Sequence, residues 1–175
     1  DPMCGSGTIL IEGAMMVHNI APGVNRYFSA ERWDVIDEKV WTDERNRARD
    51  LVNYDTDFIA YGSDIDEEAL EIAKINAKRA GVERKIKFEK ADIRNFEPKS
   101  EKGTVICNPP YGERLLDIEK AQMLYKIMGE KFIKKHGWSY YVISPSEEFE
   151  KEFGRKADKR RKLYNGMIKC QLFMY

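Results

Sequence analysis

Strand-like apolar runs alternate with helical stretches along this chain, and each run closes on a residue able to hold a ligand. Residues 58–65 lead to Asp64, residues 86–92 end on Asp92, and residues 104–107 empty into Asn108. At the start, Asp1-Pro2-Met3-Cys4-Gly5-Ser6-Gly7-Thr8 forms a glycine loop that opens onto a helix carrying Ile9, Leu10, Ala14 and Val17 on one face. In open α/β sheets, ligands bind outside the carboxyl ends of the strands, where these four signatures would gather. The pattern predicts a mostly parallel α/β sheet. A fifth strand over residues 138–145 precedes a terminal antiparallel hairpin over residues 162–175, turning at Asn165-Gly166. Asp1 already lies inside the glycine loop, which needs a strand before it, so the first central strand is expected to be missing from this chain.

The 175 residues are expected to form one domain, with 42% hydrophobic residues to fill its core. Thirty Lys and Arg balance thirty Asp and Glu, so the average surface has no preference for a polyanion. Three cysteines without Cys-x-x-Cys spacing, no signal peptide and no long apolar run point to a reduced, cytoplasmic protein. Two histidines, His18 and His136, argue against a zinc site. Residues 19–53 read as a helical insertion broken by Ala21-Pro22-Gly23. Phe28 and Trp33 are its expected anchors, and Val40, Trp41, Ala48, Leu51 and Val52 form the expected buried face of its helix. A long helix is predicted over residues 118–136, with Ala121, Leu124, Tyr125, Met128, Phe132 and Ile133 inward.

Asn108-Pro109-Pro110-Tyr111-Gly112 carries the chemistry. The prolines fix their own φ and donate nothing, which leaves the Asn108 side chain and the Pro109 carbonyl as acceptors beside a flat ring. Two acceptors and a ring suit a planar substrate bearing an amino group; an ordinary proline turn fits the same residues equally well. Asp64 suits both hydroxyls of a ribose or a solvated turn, and Asp66 suits a helix cap. Asp92 suits the amine of an adenine or a turn. Free N–H groups at the first helix suit a carboxylate. Leu10 stands where a dinucleotide fingerprint has Gly or Ala, which disfavours NAD, and Ala69 and Ile75 exclude an EF-hand at Asp64.

Taken together, Asp1 to Thr8, Gly62-Ser63-Asp64-Ile65-Asp66, Ala91-Asp92, Asn108 to Gly112 with Glu113-Arg114-Leu115, and Phe153-Gly154-Arg155-Lys156-Ala157-Asp158 give the chain its resemblance. It resembles the THUMP-containing ribosomal RNA guanine-N2 methyltransferases. The resemblance implies a Rossmann-like class I methyltransferase sheet and S-adenosylmethionine as cofactor. It further implies a guanine of 23S ribosomal RNA as substrate and an upstream THUMP domain that binds RNA. Asn108, Pro109, Pro110 and Tyr111 are the implied catalytic residues. The implied cofactor residues are Asp1, Pro2, Cys4, Gly5, Ser6, Gly7, Thr8, Asp64, Ile65, Asp92, Ile93 and Asn108.

Arg155, Lys156, Lys159, Arg160, Arg161 and Lys162 form the one basic cluster of a neutral chain. They read as solvated surface or as a phosphate grip beside the catalytic edge, and the resemblance favours the grip. Three rivals share the central motif or the fold: an adenine-N6 methyltransferase, a protein glutamine methyltransferase and a non-enzymatic RNA-binding module.

Overall fold

The computed structural model describes residues 1–112 and 115–175, without the side chains of residues 115–117. Strands β1 (Ala60–Asp64) and β2 (Ile86–Lys90) pair in parallel. Strands β3 (Gly103–Cys107), β4 (Trp138–Ser144), β5 (Lys159–Asn165) and β6 (Ile168–Met174) form a second group in the order β3-β4-β6-β5. β3 and β4 run parallel, whereas β6 runs antiparallel to both of its neighbours. The expected parallel sheet with an antiparallel terminal hairpin is therefore present.

Asp1 sits where the two groups meet. Its terminal amine donates to the Tyr61 carbonyl at 2.8 Å, and Ser63 N–H donates to the Asp1 carbonyl at 2.9 Å. This is the bonding pattern of a parallel bridge opposite Gly62. A cleft of about 960 Å³ separates the lining strands β1 and β3 and extends from Asp1 and Pro2 to Trp138.

Helix α1 (Thr8–Val17) and helix α3 (Glu67–Arg79) cover the first pair of strands. In α3, Asp66 caps the amino end by accepting from Glu68 N–H at 2.9 Å and Ala69 N–H at 3.3 Å. Leu70, Ala73 and Ala77 then recur at helical spacing as its buried stripe, and Lys78 and Arg79 complement the dipole in the last turn. In α1 the buried residues are Ile11 and Ala14, whereas Val17, expected inward, faces solvent.

Helix α4 (Leu115–Lys131) and the short α5 (Phe149–Phe153) cover the second group of strands. Tyr125, Phe132, Tyr140, Phe149 and Phe173, with Met128 among them, make this the aromatic core, and burying each side chain contributes roughly 1.5–3 kcal/mol. Phe132 stacks on Tyr140 at 5.0 Å and meets the edge of Phe96 at 5.3 Å. The long helix ends earlier than residues 118–136 suggest, so Ile133, expected inward, is exposed.

Residues 19–53 contain a 3₁₀ turn over Ser29–Arg32 and helix α2 (Glu38–Asp50). Here the expected buried face is absent: α2 has no buried residue, and Val40, Leu51 and Trp33 are exposed. Phe28 stacks on Trp41 at 6.1 Å, which makes a local surface cluster, not a core anchor. The excursion is closed by His18, whose carbonyl accepts from Asn53 N–H at 2.9 Å and whose buried ring bonds the Asn53 carbonyl at 3.0 Å through Nδ1.

Candidate active site

The glycine loop is tied to the end of β1. Cys4 N–H donates to the Ser63 carbonyl at 2.9 Å, and Gly5 N–H donates to Asp64 Oδ2 at 2.9 Å. The other carboxylate oxygen of Asp64 accepts from Asp66 N–H at 3.0 Å. Asp64 thus fixes the loop to the following helix, a structural duty beyond the ligand role read from the sequence. Gly7 is the N-cap of α1 at φ +81°, and a Cβ there would lie 3.1 Å from Ala73 Cβ, so both conformation and space select glycine. The cap has no side-chain acceptor, which leaves the first-turn N–H groups beside Ser6 and Thr8 without an internal cap. Pro2 and Cys4, both expected at the cofactor, are buried beneath the loop, and burial pushes the Cys4 thiol up to about 11.

Asp92 follows β2 and is held by its own neighbour. Arg94 Nε donates to Oδ1 at 2.9 Å and Arg94 Nη2 to Oδ2 at 2.6 Å, while Arg94 N–H donates to Oδ1 at 2.8 Å. The guanidinium and that backbone bond lower the Asp92 carboxyl to about 2. The ion pair contributes stability above the unfolded carboxyl range and loses it as pH falls through the folded value. In an NMR titration the Asp92 carboxyl should titrate near 2, and Arg94→Ala should return it toward the ordinary aspartate range. Ile93, expected at the cofactor, has its side chain buried in the aromatic core. Ile65 is two-thirds exposed at the end of β1, open to one.

Asn108 leaves the end of β3 exposed, and Tyr111 returns to it: the phenol donates to Asn108 Oδ1 at 2.5 Å. Asn165 Nδ2 donates to the same phenol oxygen at 3.1 Å, and Cys170 Sγ donates to it at 3.7 Å. Burial pushes the Tyr111 hydroxyl up to about 12, which keeps its proton on at neutral pH. Pro109 is fully buried and Pro110 exposed. The Pro109 carbonyl, expected as a second acceptor, belongs to a residue with almost no exposed surface. Glu113 and Arg114 lie outside the described residues, as does the Leu115 side chain. Asn165 and Cys170 were not singled out from the sequence, where Asn165-Gly166 signals only a turn.

The ends of three strands thus carry polar groups: the glycine loop and Asp64 at β1, Asp92 after β2 and Asn108 after β3. The sequence profile of the RMKL-like methyltransferase domain matches residues 1–173. The chain belongs to this family. It is 43% identical over its whole length to a Bacillus subtilis (strain 168) protein named as a candidate RNA methyltransferase, YpsC, of which it covers 46%. It is 41% identical over 180 aligned positions to the ribosomal RNA large subunit methyltransferase K/L of Shewanella sp. (strain W3-18-1), covering all of this chain and 25% of that protein. A solved structure of SMU.472, described as a candidate methyltransferase complexed with SAH, superposes with a TM-score of 0.93 at 44% identity, covering 100% of this chain and 46% of that one. The chain thus spans less than half the length of the relatives it matches.

In this RMKL-like methyltransferase domain the basic cluster splits by environment. Arg155 donates to the Phe132 carbonyl and packs over Phe153 and Tyr175, so it supports the core. Arg160 pairs with Glu150 at 3.1 Å and lies over Phe173. Lys159, Arg160, Arg161 and Lys162 lie on the edge strand β5, which begins three residues before the expected hairpin. Lys156, Lys159 and Arg161 are exposed and make no ion pair among the described residues. Such lysines also protect a sheet edge from pairing with another chain. Among the described residues no group of three or more His, Cys, Asp and Glu could hold a metal, and no helix is long and apolar enough to cross a membrane.

Proposed function

We propose that this domain transfers the methyl group of S-adenosylmethionine to the exocyclic N2 amine of a guanine in RNA, with 23S ribosomal RNA as the substrate. The observation that carries the reading is Asn108, exposed at the end of β3 with its amide oxygen fixed by the Tyr111 hydroxyl. A carbonyl oxygen has two lone pairs, so Oδ1 retains one for an incoming amine hydrogen.

The residues at the other strand ends fit the cofactor. Uncapped N–H groups at α1 suit its carboxylate, Asp64 beside Gly5 suits its ribose hydroxyls, and exposed Ile65 and the Asp92 turn suit its base. When bound, S-adenosylmethionine supplies an electrophilic methyl group. The protein then has two tasks. Asn108 holds the amine with its lone pair directed at the donor, and the Tyr111 ring receives the face of an unpaired or flipped base. Asn108 is no strong base; it favours the positive charge developing on nitrogen, after which the proton leaves to water. Lys156, Lys159 and Arg161 suit nearby phosphates, and an upstream THUMP domain would supply the main RNA affinity.

Asp64→Ala tests the cofactor assignment. It should weaken S-adenosylmethionine binding by about 1.5–3 kcal/mol, the range for bonds to a charged acceptor. Calorimetry on the full-length protein measures this, and wild-type affinity in a folded variant would remove Asp64 from the cofactor site.

A further inference from the structure

Asn165 closes β5, opposite Ile168 across a two-residue loop, yet its side chain reaches 54 residues back to Tyr111. The phenol oxygen accepts from Asn165 Nδ2 at 3.1 Å and from the buried Cys170 Sγ at 3.7 Å. Those two donors use both of its lone pairs. The phenol proton is then left with one outlet, the Asn108 amide, and the atom that receives it must be oxygen. Turning that amide over would set its NH2 against the phenol O–H, donor against donor, and would present an NH2 where the substrate amine needs an acceptor.

We propose that Asn165, with Cys170 beside it, is a positioning residue that fixes which way the Asn108 amide points, through the Tyr111 hydroxyl. This rests on the reading that Asn108 receives the target amine. The terminal hairpin then does more than close the sheet edge. Its register sets the acceptor: Leu163 opposite Cys170 and Asn165 opposite Ile168 bring both donors to one phenol. A slip of one residue would send these side chains to the other face.

The decisive comparison is Asn165→Ala with Asn165→Asp in the full-length protein. Alanine removes a donor and should lower kcat about 10-fold, the equivalent of one neutral hydrogen bond. Aspartate replaces the donor by a charged acceptor that draws the phenol proton away from Asn108, so it should lower kcat further than alanine does. Cofactor affinity should hold in both variants. In a Tyr111→Phe background neither change should lower kcat further, because no hydroxyl remains to relay it.

A second readout does not depend on turnover. The Asn108 side-chain amide signals in an NMR spectrum, identified by their loss in Asn108→Asp, should move in Asn165→Asp and stay in place when Tyr111 is already Phe. Unmoved signals in Asn165→Asp, or an Asn165→Asp enzyme at least as active as Asn165→Ala, would overturn the proposal. If the wild-type protein transfers no methyl to RNA, the proposed function falls and the amide signals alone decide the role of Asn165.

Discussion

Asn108→Ala should lower turnover by roughly 100-fold or more while leaving S-adenosylmethionine affinity nearly unchanged, the signature of a contact made in the transition state. The side chain leaves the end of β3 exposed, and its one internal bond among the described residues is to the Tyr111 hydroxyl. Truncation therefore removes an acceptor at the surface without opening the core. Single-turnover rates with saturating cofactor, set beside calorimetric affinity, separate the two effects. Equal loss of rate and affinity would mean that Asn108 holds the cofactor or the loop. Asn108→Asp is a useful companion, since it keeps the acceptor and adds a charge next to the phenol.

Gly129→Ala should destabilise the domain by about 3 kcal/mol, the upper part of the range for overpacking a filled core. Gly129 lies in α4 where α5 crosses it, and an added Cβ would stand 1.9 Å from the Phe153 carbonyl oxygen and 2.7 Å from its carbon. Both atoms are backbone, so no side chain can swing aside. Relief requires α5 to move, and with it the stack of Phe149 on Phe173 at 4.4 Å and of Phe153 on Tyr175 at 4.4 Å. Against a total stability of roughly 5–15 kcal/mol for a domain, this is a large share. Urea unfolding midpoints of the two proteins measure it. Unchanged stability would mean that α4 and α5 pack farther apart than the structure has them.

The strand ends were legible in the sequence because each is a short apolar run stopped by a residue with a distinct job. Asp64 ends β1, and Asp92 and Asn108 follow β2 and β3, as expected. The cap at Asp66 and the stripe of α3 were legible for the same reason, since spacing alone sets them. Helix α2 was not. Its apolar residues recur at helical spacing, but periodicity cannot say what lies against that face; Phe28 stacks on it at Trp41, and no residue of α2 is buried. Ile93 and Pro109, next to Asp92 and Asn108, are both buried, which their spacing along the chain does not reveal. The partners of Tyr111 were out of reach altogether. Asn165 and Cys170 lie 54 and 59 residues away, and only the hairpin register brings them to the phenol.

Transfer to a guanine amine in RNA leaves a distinct modified nucleoside. The most direct measurement is to incubate the full-length protein with isotopically labelled S-adenosylmethionine and unmodified 23S ribosomal RNA, digest the RNA to nucleosides and separate them by mass spectrometry. Label is expected in N2-methylguanosine, with Asn108→Ala lowering its rate of appearance by roughly 100-fold or more. Label in N6-methyladenosine, or no label in RNA while DNA or protein accepts it, would contradict the claim.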